Sequence, residues 1–477
     1  MPLSNQQKNQ HLLWRAAFGP MAENVNELEH VSQKELYSVL MKTSSKKPVE
    51  INVASSAFDG LIKGMQDLRK VQQLTQEQKK QLRRQSANDL KNLNLTWLSE
   101  MINSEAQLRE KMSLFWHGHF ACRIINIYYQ QQLLNVIRQN ALGNFGDLLR
   151  EVSKSPAMLS FLNNQQNNKK HPNENFAREV MELFTMGRGN YTENDVKEGA
   201  RAFTGWGFNR NGEFVERPFL HDTGNKTFLG KTGNFDGDDI IDILLEQKAT
   251  ATFITQKIYK YFVNEEVDKN KIDSLAAGFY QSNYNLQKLM ENIFKSEWFY
   301  EEKNFGTRIK SPVELLVGIR RLIPMELERP EAQLLIERTL GQILFYPPNV
   351  AGWPGGKSWI DSSALMFRMR IPQILSNAEQ FLIKPKDDDD VMMGMEGTDT
   401  KPKANQIRVT VDWKSVLKVF DKTAKENLMK KVSDIVLQTG SDINPNILNR
   451  YIDNTSRDAY IKTTMVELMS TPEYQLC

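Results

Sequence analysis

Residues 286–294 read "LQKLMENIF", and the placing of their apolar side chains decides the fold class. Leu286, Leu289, Met290, Ile293 and Phe294 fall at i, i+3, i+4, i+7 and i+8, the stripe of a helix that buries one face. The same period recurs at Ile254, Ile258, Tyr261 and Phe262, at Leu428, Val432, Ile435 and Val436, and at Ile461, Met465, Leu468 and Met469. The pattern predicts a mainly α chain whose bulk is a large, irregular multi-helix domain over residues 1–383.

Three segments break the period. Residues 205–236, "GWGFNRNGEFVERPFLHDTGNKTFLGKTGNFD", set Asn-Gly and Thr-Gly turns between short aromatic runs, which predicts a small β-hairpin insertion between helices. Residues 65–95 are polar and charged on nearly every turn, and read as a solvated helix or connector. Residues 384–406, with four consecutive Asp, read as a flexible acidic linker or loop, after which 407–477 return to helices that pack back on the main domain.

Composition narrows function by exclusion. The 477 residues carry 61 Lys and Arg against 58 Asp and Glu, a net charge of +3, which gives no electrostatic footprint for nucleic acid. Two cysteines, Cys122 and Cys477, cannot build a disulfide framework. No apolar run is long enough to suggest a transmembrane helix. The N-terminus lacks a basic region followed by an apolar run and a cleavage site, so the cytoplasm is the default location, with export by another route left open.

Chemistry concentrates in four stretches. In "LFWHGHFACR", residues 114–123, Ser104 and Gln107 upstream have capping-box spacing, and a helix from there to about residue 119 puts His119 on the stripe of Leu108, Met112, Phe115 and Trp116. His117 then points to the opposite side, and both imidazoles can share one ion only if the helix breaks at Gly118. Residues 171–206, "HPNENFAREVMELFTMGRGNYTENDVKEGARAFTGW", form a helical hairpin capped at Asn173 and Thr192 and stopped at Gly187. There Glu179 borders the apolar stripe, where a carboxylate must find a cation or a donor. Arg178 and Glu182 lie nearly opposite, spaced for an i, i+4 ion pair.

In "LHDTGNKTFLG", His221 and Asp222 can act as a ligand with its orienting partner or as an acid/base pair, although Asp and Gly also simply make turns. Asp236 and Asp239 have capping spacing. "FYPPNVAGWPGGKSWI", residues 345–360, carries Trp353 and Trp359 on a rigid Pro/Gly turn, either an aromatic wall over a pocket or a buried clamp. Phosphate-cradling glycine loops, nucleophile elbows and zinc-type cysteine spacings are absent, and residues 171–206 hold no Glu-x-x-His or His-Glu-x-x-His.

Together "HLLWRAAFGP", "KMSLFWHGHF", "NFAREVMELFTMGRGNYTENDVKEGARAFTGW", "HDTGNKTFLG", "DIIDILL" and "PPNVAGWPGG", spanning residues 11–360, closely resemble the bacterial domain-of-unknown-function 1800 family. The resemblance implies a mainly helical single domain and a genomic neighbour similar to sulfatases and alkaline phosphatases. It implies frequent export among members, and supplies no catalytic residues. His117, His119, Glu179, Glu182 and His221 lie in the shared stretches; Cys122 does not look like part of the pattern.

These readings lead to one expectation and two alternatives. The first is a metal-dependent hydrolase or oxidoreductase with His117, His119, Glu179 and His221 on a divalent ion, Glu182 or Asp222 as catalytic base, and Arg178, Trp206 and Trp353 against substrate. The second is a non-catalytic partner or scaffold for a phosphatase- or sulfatase-like protein. The third is a metal-free carbohydrate-active enzyme with Glu179 or Asp222 as acid/base and Trp353 as a sugar platform.

Overall fold

The computed structural model describes residues 3–54, 75–209, 211–377, 380–381, 405–406, 408–439 and 445–477. Residues 65–74 of the expected polar segment and 384–404 of the acidic one lie outside these. The chain is mainly α. The helices that position the site are α1 (Asn5–Ala16), α2 (Gln76–Asn103), α3 (Gln107–His119), α4 (Glu174–Glu179), α5 (Glu193–Ala202), α6 (Lys248–Phe262), α7 (Leu286–Phe294), α8 (Pro312–Leu322), α9 (Ala332–Leu340), α10 (Leu428–Val436) and α11 (Arg457–Met469).

Between α5 and α6 the turn-rich insertion forms two antiparallel hairpins. Trp206–Phe208 (β1) pairs with Phe214–Glu216 (β2), and Lys226–Phe228 (β3) with Lys231–Gly233 (β4). Local chemistry sets most boundaries: Asn173, Thr192 and Asp236 accept backbone N–H bonds at their helix starts, and Gly187 takes φ +75° after the hairpin's first helix.

One boundary is decided otherwise. Ser104 closes α2, and α3 begins only at Gln107, whose Nε2 donates to Met101 O and Ser104 O at 2.9 and 2.7 Å. The pair therefore satisfies the last carbonyls of the preceding helix instead of capping the next.

Two apolar cores meet at α3. Leu108, Met112, Phe115 and Trp116 join Phe176, Val180 and Phe184 of the hairpin, Ile254, Ile258 and Phe262 of α6, and the α7 stripe. Leu114 faces the other core, with Leu90, Leu93, Trp97 and Met101 of α2, Val313, Leu316 and Ile319 of α8, and the stripes of α10 and α11. Burial on both sides explains why α3 keeps polar residues inside: Glu110 takes Arg138 in an ion pair at 2.8 Å, and Lys111 takes Glu314 at 2.5 Å. Within the expected solvated segment 65–95, α2 is likewise buried at Leu82, Leu90 and Leu93, and beyond it at Trp97, Leu98 and Met101.

Segments distant in sequence lock around these cores. Met325–Leu327 (β5) pairs antiparallel with Val409–Val411 (β6), and the Arg308 and Cys477 backbones exchange N–H···O bonds of 3.1 and 2.7 Å. Among the described residues, no helix is long and apolar enough to cross a membrane.

Candidate functional site

The helix begun by α4 widens. Val180–Thr185 continue it as a π-helix, closed by Met186 N–H donating to Met181 O at 2.9 Å and by Thr185 Oγ1 donating to Val180 O at 2.7 Å. The final carbonyls of a helix lack partners within it. Here Phe184 O accepts from His119 Nε2 at 3.2 Å, and Leu183 O from Lys257 Nζ at 3.3 Å. Such single π-turns recur at functional sites.

Lys257 Nζ also lies 3.1 Å from His119 Nδ1. An ammonium has no lone pair to offer, so Nδ1 accepts and the ring proton sits on Nε2, facing the Phe184 carbonyl. Burial, then the neighbouring Lys257 charge, holds His119 neutral with its pKa well below the usual imidazole value. Burial lowers Lys257 to about 8. Among the described residues no carboxylate forms an ion pair with Lys257; its other contact is cation–π, 4.9 Å from the centre of the Phe253 ring.

The His119–Lys257 pair borders a cleft of about 640 Å³ between α3, the end of α6, the start of α8 and the loop 351–359. Lys260, Arg308 and Lys357 add positive charge to its walls, and Glu265 is the single carboxylate among the described residues that line it. Arg308 is already held by Glu314 through two bonds of 2.9 and 2.7 Å, whereas Lys257, Lys260 and Lys357 form no ion pair among the described residues. The Tyr261 ring lies under the Arg308 guanidinium, 4.2 Å from its centre, and its hydroxyl is buried on the same wall.

The loop is fitted by glycine. Gly352 has φ +79°, and a Cβ on it would stand 2.4 Å from Gly118 O, so the loop seats directly on the last turn of α3. Gly118 itself lines the cleft, and a Cβ on it would meet nothing within 4 Å.

The expected ligand set does not assemble. Helix α3 runs unbroken through Gly118, so its two histidines part. His117 is buried, not solvent-facing, because Trp97, Phe345 and Trp353 box its ring; the Trp353 indole stacks on it with 5.4 Å between centroids. His117 Nε2 accepts from Phe345 N–H at 3.3 Å, and burial drives its pKa to about 3. His221, in the connection between the two hairpins, donates from Nδ1 to Thr204 O at 2.9 Å. Glu179 is half-buried, its pKa raised by desolvation and by Glu182. Among the described residues no group of three or more His, Cys, Asp or Glu is placed to hold a metal ion.

The remaining candidates are engaged in structure. Glu182 accepts from Arg188 Nε at 2.5 Å and from the Tyr191 hydroxyl at 2.6 Å, and both lower its pKa. Arg178 turns to Glu193, at 2.8 and 2.7 Å, and to Glu174. The expected Arg178–Glu182 pair fails because the π-turn between them shifts the helical phase. Asp222 is held by Arg201 at 2.8 Å, which lowers its pKa. Trp206 is core, packed on Phe203 and Phe214. Trp353 does line the cleft, and Trp359 with it. Cys122 is buried, which keeps its thiol protonated.

Periodicity passed over Lys257 and Lys260 and took Tyr261 only as part of the apolar stripe of α6. They sit at i, i+3 and i+4 of α6, and only the lysines' place beside an apolar stripe signals them. Comparison with known proteins bears on family and not on chemistry: no curated protein and no solved structure matches this chain. A family model described as a protein of unknown function (DUF1800) matches residues 11–476, nearly the whole length, and the chain belongs to that family.

Proposed function

We propose that the chain is an enzyme acting on a small anionic ligand in this cleft, with Lys257 as the proton-transferring residue and His119 as its positioning residue. The observation that carries the reading is Lys257, a largely buried ammonium at the cleft wall whose hydrogen bonds go to an imidazole and a carbonyl and not to a carboxylate. Two of its three N–H groups are used by His119 and Leu183, which leaves the third for a ligand oxygen. A pKa of about 8 suits an acid that gives up its proton near neutrality and recovers it. Lys260 and Lys357 supply charge that attracts an anion and holds it through the reaction.

A divalent ion fits this cleft poorly. His119 and Glu265 are the His, Cys, Asp or Glu side chains in its lining, and both imidazole nitrogens of His119 are committed. The scaffold reading, with a phosphatase- or sulfatase-like partner, rests on family resemblance alone, and the unpaired cations of the cleft favour catalysis over it.

Sulfate, ionised at every working pH, tests the binding step. At low ionic strength it is expected to raise the melting temperature of the full chain, with affinity at least tenfold lower in Lys257→Met. Equal protection of wild type and variant would overturn the proposal.

A further inference from the structure

Resting on the reading of the cleft as an anion site, we infer that its ligand is an anionic saccharide, its charged substituent at the Lys257 end and a sugar ring against Trp353. Two features of the cleft go beyond what an inorganic anion needs. The first is Glu265, a carboxylate that forms no ion pair among the described residues although lysines share its cleft. Toward an anion it is a repulsive element. Toward hydroxyl groups it is a strong acceptor, since an ionised carboxylate takes several O–H donors at once. A ligand that carries negative charge and hydroxyls together uses both.

The second feature is the orientation of Trp353. One indole face is taken by the buried His117 ring, which lies within 21° of parallel, so the opposite face is the one available to the cleft. Pro354, Gly355 and Gly356 follow it in the lining and place no bulky side chain beside the indole. A fixed, flat aromatic surface next to hydroxyl acceptors matches a pyranose, whose apolar C–H face and polar rim demand that pairing. At about 640 Å³ the cleft lies within the range of small-molecule sites.

The experiment is calorimetry on the full chain with glucose, galactose and mannose, their 6-phosphates, glucose 6-sulfate, glucuronate, phenyl phosphate, inorganic phosphate and sulfate. At least one sugar anion is expected to bind ten times more tightly than the matching inorganic anion, than its neutral sugar and than phenyl phosphate. Trp353→Leu should abolish that tenfold increment while leaving inorganic phosphate unchanged, Glu265→Gln should abolish it while inorganic phosphate binds at least as tightly, and Lys257→Met should weaken both. The retained phosphate binding reports that the variants fold. Which substituent gains most separates phosphate, sulfate and carboxylate as the source of charge. Inorganic anions that bind with no sugar increment, or phenyl phosphate matching the sugars, would overturn the saccharide and leave the anion site standing. No anion binding at all would remove both.

Discussion

His117 has its Nε2 on the Phe345 amide, its ring enclosed by three aromatic side chains, and its Nδ1 buried without a hydrogen-bond partner among the described residues. Phe345 itself sits at φ +68°, a left-handed conformation that costs a bulky residue about 1–3 kcal/mol and survives only where its surroundings impose it. His117→Ala removes the acceptor and empties the box, and is expected to cost roughly 2–4 kcal/mol in urea denaturation. A silent variant would contradict this packing. Lys257 carries a separate expectation: its charge is present below pH 8 and lost above, so sulfate affinity should fall between pH 7 and 9. Lys257→Met should flatten that profile. At this scale the sequence marked His119 and Trp353 but missed Lys257, because its role depends on carbonyls that a π-turn 70 residues earlier leaves free, and no local pattern signals that turn.

Among elements, the helices were legible wherever one face meets a core, as in α6 and α7, and so were the hairpins, whose Gly turns fix local backbone without tertiary help. Helix α3 was legible at its end, misread at its start and misleading in phase. Its period puts His117 on a wet face, yet a second core lies there. The meeting of α3 with the loop 351–359 is the contact most open to test. Gly118→Ala adds a methyl to open space and should leave stability within about 0.5 kcal/mol, while Gly118→Leu projects into the cleft and should abolish sulfate protection without unfolding. Gly352→Ala meets both a φ of +79° and the Gly118 carbonyl, and is expected to lower stability by more than 1 kcal/mol. Thermal denaturation with and without sulfate reads all three.

Across the whole molecule, the cleft draws on residues 114–119, 257–265, 308–311 and 342–359, and its charge balance exists only after folding. Periodicity could predict the helices that carry residues 114–119 and 257–262 but not which lysines end without a carboxylate. The buried titratable groups also set the pH response of the entire fold. His11, His117 and His119 all have pKa values lowered by burial, so below about pH 6.5 the unfolded chain binds protons that the fold refuses, and stability falls with acid. Glu337 acts in the opposite sense. Burial raises it to about 8 despite hydrogen bonds from Asn94 and Leu344, so the fold keeps a proton that the unfolded chain releases above about 4.3, and that stability is lost as pH rises through 8. Between pH 6.5 and 5 the four groups approach a net two protons in favour of the unfolded chain, about 2.7 kcal/mol per pH unit. Glu337→Gln keeps the shape and deletes the offset. The variant should gain on wild type by about 1.4 kcal/mol per pH unit from 5 to 8, and should lose stability more steeply below 6.5. Parallel urea titrations of the two proteins, with no change in their difference across that range, would show that Glu337 stays ionised inside the fold.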